Sequence, residues 1–396
     1  MKIPFLILFI VNYFYLNAQW SKVNVGLTDL HIQSLASDGT NIFAGTSSGE
    51  VFLSTDNGNS WALANTGILT LNPILALTIS GDNIFAGTFN GVFLSNDNGG
   101  SWTSAGLSTT EVHSFAISGT NIFAGTYDGV YLSTDNGENW TSVSTGLTIC
   151  PTFSLAMVGL NLFAGTPCGI YMSDDSGSSW NPVINGLTNS SVNSLAVYGS
   201  DIFAGTDTDF DDNNGMFISN DLGTNWTPIS LFADENRSVY DFAISATDIF
   251  VGTGGDGVFM STDNGITWTQ VNTGLTNKSV ASLTIADIYI FAGTFGGGVY
   301  RRALNDFTAI ESANSNSTDL FLINPNPTAS SFTIKLNEDI IIKNPSIEIY
   351  NVFGNLVFQS STIISQNMID LKGNSGLYFI KVSGDGIEST KKLIIE

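Results

Sequence analysis

The pattern Ser-x-Asp-x-Gly-x-x-Trp occurs six times. It reads STDNGNSW at 54–61, SNDNGGSW at 95–102, STDNGENW at 133–140, SDDSGSSW at 173–180, SNDLGTNW at 219–226 and STDNGITW at 261–268. An acid followed by an amide and a glycine could open a calcium loop. Each copy, however, supplies one such carboxylate (Asp56, Asp97, Asp135, Asp175, Asp221, Asp263) against the roughly six to eight oxygens that Ca2+ takes. The same residues suit a fastened turn. Ser and Asp oxygens accept from the turn's own amides, and Gly takes a positive φ. The tryptophan (Trp61, Trp102, Trp140, Trp180, Trp226, Trp268) drops into the apolar layer. Six evenly spaced copies argue for a structural latch.

Other chemistry is sparse. Asp207, Asp209 and Asp211 alternate in DTDFDDNNG at 207–215, as in an oxygen-rich Ca2+ loop. Asp212 stands where such a loop has Gly, and no Glu closes it, so a solvated acidic loop is the first reading and Ca2+ the second. No cofactor is required by any motif. The two histidines, His31 and His113, have no companion motif for a nucleophilic triad. Cys150 and Cys168 could pair in an oxidising exterior.

These residues are positioned by a repeat. The hexad NIFAGT starts at 41, 83 and 121 and returns as NLFAGT, DIFAGT, DIFVGT and YIFAGT at 161, 201, 248 and 289. Its phenylalanines, Phe43 through Phe291, recur roughly every 41 residues, a period of propeller blades. Each unit carries four short strand signals; in the third they are HSFAIS, NIFAGT, GVYLS and NWTSVS. The small Ala-Gly-Thr residues fit an inner strand where neighbouring sheets crowd together. The seventh unit lacks the octad, and QWSKVNVGLT at 19–28 reads like TWTQVNTGLT at 267–276. Residues near Trp20 are therefore expected to supply the outer strand of the last blade and close the ring. The fold class is all-β: a seven-bladed propeller over 19–308, a polar linker over 309–319, and a small Ig-like β-sandwich over 320–396.

Strand parity sorts the loops onto two rims. The octad turns lie on one. The loops leading into each blade and those between second and third strands lie on the other. Cys150 and Cys168 reach that second rim of the fourth blade, within disulfide range in principle. Phe89, Tyr127 and Phe295 follow the Gly-Thr pairs there and could stack on sugar rings or anchor a protein.

Net charge is −23 with 12 basic residues, which disfavours nucleic acid and anionic membrane. Residues 1–18, with Lys2, the apolar run IPFLILFIV and a small residue at Ala18, read as a secretory signal; no membrane span is expected once it is removed.

The octads resemble the Asp-box of BNR-repeat propellers, the sialidase-like and sortilin-like kind. NPNP at 324–327, IEIYNVFGNLV at 347–357, GLYFIKV at 376–382 and KKLIIE at 391–396 resemble the type A C-terminal sorting domain of type IX secretion, known in Bacteroidota. That resemblance implies the type IX machinery as partner, passage through the periplasm, and release or attachment at the outer-membrane surface. Sialidases hold a sugar carboxylate with three arginines. Here only Arg237, Arg301 and Arg302 fall in the propeller, the last two adjacent on one strand and so on opposite faces. The expectation is a surface binding or adhesion propeller for a glycan or protein ligand; the alternatives are a glycoside hydrolase of the Asp-box kind and a structural surface component.

Overall fold

The computed structural model describes residues 19–307 except 69–71, 148–149, 189–190, 208–214, 230 and 232–237. Beyond them it describes 321–324, 331–336, 345–351, 356–361, 366–371, 376–384 and 387–395. The chain divides between Phe307 and Thr308 into two compact units.

The first unit is seven four-stranded antiparallel sheets. In the third blade the strands are Val112–Ser118, Asn121–Thr126, Gly129–Ser133 and Thr141–Ser142, paired in that order. The first strands of adjacent blades contact one another, so they form the innermost layer around the axis. The Ala-Gly-Thr strand is therefore second from the axis, one place further out than its small residues alone suggest. Its glycine is dictated by the next blade. A Cβ on Gly45 would sit 2.6 Å from Ile74 Cγ2, and one on Gly293 would sit 2.6 Å from Ile32 Cγ2. Small side chains here let the inner strand of the following sheet slide in against the second strand.

The seventh blade combines Val280–Ala286, Tyr289–Thr294 and Gly298–Ala303 with Ser21–Lys22, which pairs through Ser21 with Arg301 and Lys22 with Tyr300. The first described strand thus supplies the last blade's outer edge, as the sequence led us to expect. Arg302 fills the place of an octad serine there. Its buried guanidinium lies 4.0 Å from the Phe307 ring, and Phe307 packs on Trp20 and Phe250.

Each octad is a closed hydrogen-bond unit. In the second, Ser95 Oγ donates to Asp97 Oδ1 at 2.8 Å and accepts from Gly99 N at 2.9 Å. Asp97 Oδ1 also takes Ser101 N, and Oδ2 takes Ser101 Oγ at 2.7 Å. The same net recurs at Asp56, Asp135, Asp175, Asp221 and Asp263. Both carboxylate oxygens are thereby engaged by the turn's own donors. The residue before the glycine is also left-handed, with φ near 56° at Asn57 and Asn98.

The tryptophans do more than enter their own blade's apolar layer; they cross the seam to the preceding blade. Trp61 Nε1 donates to Val23 O, Trp102 to Ala64 O, Trp140 to Ala105 O and Trp180 to Val143 O, all at 2.7 Å. Trp226 reaches Val183 O at 2.8 Å, and Trp20 reaches Val271 O at 2.7 Å. The exception is Trp268, which donates to Gly265 O in its own turn at 3.0 Å. Its indole is only half-buried.

The second unit is a two-sheet sandwich. Phe321–Asn324, Ser331–Leu336 and Gln366–Asp370 form one sheet; Leu356–Ser360, Ser346–Asn351, Gly376–Gly384 and Ile387–Ile395 form the other. Phe332, Ile334 and Ile369 of the first share a core with Ile347, Ile349 and Ile380 of the second.

Two outcomes are expected. Trp20→Ala should cost about 3–5 kcal/mol in chemical denaturation, as buried aromatic truncations do, and Trp268→Ala distinctly less, because Trp20 is fully buried and donates across its seam while Trp268 is half-buried and donates within its own turn. Equal losses would contradict the latch. Secondly, hydrogen bonds from Ser101 and Asn139 hold Asp97 and Asp135 at about 2, below the ordinary 3.8. The stability this gives is present above 3.8 and is lost as pH falls toward 2. Asp97→Asn should therefore flatten the fall in melting temperature across that window; an unchanged slope would count against the assignment.

Candidate functional site

Six of the seven inner strands carry a one-residue bulge near their start, between Ile32 and Ser34 in the first blade and between Val112 and Ser114 in the third. The residue before the bulge presses under the glycine of the preceding blade, and the residue after it packs against its own blade's glycine. A Cβ on Gly45 would meet Ile74 of the next blade and Ser34 of its own, both at 2.6 Å. The extra residue between them is left to face the axis. Bulges commonly redirect a side chain in this way. The redirected residues are Gln33, Leu75, His113, Asn193, Tyr240 and Ala281. Phe153 holds the equivalent place in the fourth blade, whose ladder begins at Ser154.

These seven residues line one cavity of about 410 Å³ on the propeller axis, together with Phe295. His113 and Phe153, from adjacent blades, stack edge to face with centroids 5.3 Å apart. Tyr240 and Phe295 do the same at 6.0 Å between the sixth and seventh blades. An isolated bridge between His31 and Phe295 ties the loop carrying Phe295 to the start of the first blade. The cavity therefore opens on the rim of the leading loops, away from the octad turns.

Burial pushes the His113 imidazole down to about 4, so it is uncharged at neutral pH. Its Nε2 lies 3.4 Å from Glu111 Oε2 without making a hydrogen bond. A layer of small polar side chains follows the bulges. Ser34 Oγ donates to Ile74 O, while Leu35 N donates to Ser282 Oγ and Leu195 N to Ser154 Oγ, each across a seam. In the sixth blade Asp241 takes the serine's place. Its Oδ2 accepts from Ser282 Oγ at 2.9 Å and Leu283 N at 2.7 Å, and its Oδ1 from Phe242 N at 2.8 Å. Enclosure outweighs these donors and pushes the carboxyl up to about 6. Among the described residues that line the cavity there is no Lys or Arg, and Asp241 is the single carboxylate.

Of the three aromatic residues expected to bind a ligand, Phe295 alone lines the cavity; His113, set aside as a triad residue, lines it too. Phe89 and Tyr127 are exposed on the surrounding loops, outside it. Cys150 and Cys168 are joined in a disulfide, with Cα atoms 6.5 Å apart. The bond ties Cys150, three residues before Phe153, to the loop between the fourth blade's second and third strands. Asp207 accepts from Ser238 Oγ; Asp209 and Asp211 lie outside the described residues. No metal-holding cluster occurs among the described residues. Residues 1–18 and Arg237 also lie outside them. Phe153, Asn193 and Tyr240 were missed, and His113 was named without a place in a site, although the repeat held a signal: the position before the inner-strand serine varies from blade to blade while its flanks recur.

Residues 322–396 match the family described as secretion system C-terminal sorting domain, and 259–270 match the BNR/Asp-box repeat. Comparison with curated proteins returns no match. Among solved structures, PorZ, an essential bacterial surface component of the type-IX secretion system of Porphyromonas gingivalis, is similar at TM-score 0.57 and 15% identity, over 94% of this chain and 60% of that one. The extracellular domain of the one component system BT4673 from B. thetaiotaomicron is similar at 0.62 and 17%, over 81% and 46%. YCF48 bound to D1 peptide is similar at 0.59 and 14%, over 72% and 96%. This chain thus spans no more than about 60% of the first two. At these identities the likeness is one of fold. No helix among the described residues is long and apolar enough to cross a membrane. An Asp-box net repeated six times, seven four-stranded sheets and a matched sorting tail together make this chain a seven-bladed BNR/Asp-box β-propeller that carries a type IX secretion C-terminal sorting domain and is exported to the cell exterior or surface.

Proposed function

We propose that the protein is a surface-displayed binding propeller whose ligand, a glycan or a protein, docks at the leading-rim end of the axial cavity. The observation that carries this reading is the ring of bulged residues. The blades repeat nearly the same residues wherever they touch one another, and they differ where a bulge turns a side chain into the cavity. Concave sites lined by aromatic groups with a few polar ones are where ligands bind. YCF48, whose fold is similar, is bound to D1 peptide, which supports a binding reading for this fold.

One observation favours the hydrolase reading. Asp241, held at about 6, has the proton affinity of a general acid. Glycoside hydrolysis, however, uses two carboxyl groups about 5–9.5 Å apart. Asp241 has no carboxylate partner among the described lining residues, and its oxygens already take three donors.

The test is a hydrolysis screen over polysaccharides, run beside a binding screen, with the exported protein and its Asp241→Asn variant. Binding without turnover is expected, and Asp241→Asn should leave product formation at background. Turnover that Asp241→Asn abolishes would replace the binder with an enzyme.

A further inference from the structure

The binding reading can be taken to a ligand class, and the inference that follows rests on it. We infer that the bulge ring selects the uncharged end of a neutral glycan. Two aromatic pairs, His113 with Phe153 and Tyr240 with Phe295, stand in different sectors of the ring. Between them, Asn193 lies on one side and Gln33 on the other. Aromatic faces suit the C–H faces of sugar rings, and carboxamides both donate to and accept from hydroxyls.

Charge narrows the choice further. The described lining residues include no Lys or Arg to pair with a uronate, sialate or sulfate. His113 is held neutral by its burial, and the one carboxylate would repel an anion. A cationic ligand would need that carboxylate, whose two oxygens are committed to Ser282, Leu283 and Phe242.

A peptide adding as an extra strand would need free backbone edges around the axis. Leu35 N, Leu195 N and Leu283 N instead donate to side chains of the neighbouring blade, Ser282, Ser154 and Asp241. That mode of recognition is closed at three of the seven seams. The cavity, about 410 Å³, sits at the small end of the roughly 300–1,000 Å³ range of ligand pockets. It takes a short terminal segment and not the middle of a long chain. The Cys150–Cys168 bond tethers the chain three residues before Phe153.

The experiment is titration calorimetry of the full chain with neutral gluco-, manno-, galacto- and xylo-oligosaccharides, beside oligogalacturonate, sialyllactose and a cationic chito-oligosaccharide. At least one neutral probe should bind. Tyr240→Ala and Phe153→Ala should each weaken it about tenfold or more, as loss of a central aromatic anchor does. Tyr240→Phe, which keeps the stacking face, should retain most of the affinity and so separates stacking from misfolding. Leu160→Ser, at an exposed loop between first and second strands, should leave binding unchanged.

Binding confined to charged probes would overturn the inference. So would neutral binding that survives both ring truncations and is lost in Phe89→Ala or Tyr127→Ala, an outcome that moves the site to the rim and leaves the wider binder reading standing. If no oligosaccharide binds, the glycan class falls; a protein ligand whose capture is lost in Tyr240→Ala would then preserve only the wider reading, and the absence of any ligand would end both.

Discussion

The structure depends on one contact repeated around a ring: an indole N–H of one blade donating to a backbone carbonyl of the blade before it. A four-stranded sheet cannot cover both of its faces, so each blade is stable only against neighbours. The tryptophan contributes apolar area to the seam, and its N–H fixes where along the neighbour that area settles. The octad holds the indole in place. Its serine and aspartate close the turn, and its glycine lies on the phenylalanine of the preceding blade, where a Cβ on Gly99 would come within 3.0 Å of Phe43. Six seams use this device, and the one made by Trp20 joins residues 251 apart in the sequence.

Such uniformity constrains where function can reside. Residues that close seams must be nearly alike in every blade, and a site assembled from them would have sevenfold character. Individuality is confined to positions that the packing leaves free. The inner-strand bulges of six blades provide them, each turning one residue toward the axis beside tight contacts at the flanking glycines. The scaffold thus fixes the places of the ring residues, and their identities are open to vary. The resulting set is unequal around the axis: two aromatic pairs, two amides, Leu75 and Ala281.

One seam departs from the rule. Between the fifth and sixth blades Trp268 turns its N–H back to Gly265, and the outer strand of the fifth blade runs to Ile229, one residue longer than its counterparts. The x-Gly-Leu (once x-Gly-Ile) stretch that follows the outer strand in the other blades is replaced there by Ser-Leu-Phe-Ala from Ser230. The position equivalent to the usual acceptor, three residues after Trp226, is Ile229, which lies in that longer strand paired with Met216. Ile229 and Leu231 pack beside the indole, so the seam is closed by apolar contact.

Much of this was written in the sequence because it is locally encoded. An octad forms its hydrogen bonds within eight residues, so pattern alone reveals the turn, its repeat and the number of blades. Trp20 could be assigned to the last blade because its flanks copy those of Trp268. The two-module organisation showed as the repeat giving way to alternating strands with their own landmarks. The axial ring was not legible. His113, Phe153 and Tyr240 occupy places that look like ordinary alternating strand residues, while exposed Phe89 and Tyr127 drew attention instead. Which side chains face the axis is decided in six of the seven blades by a bulge, set where a glycine meets a residue of the next blade. That contact exists only after seven sheets have closed on one another, so the local sequence determined the blades and the tertiary ring alone decided where their differences converge.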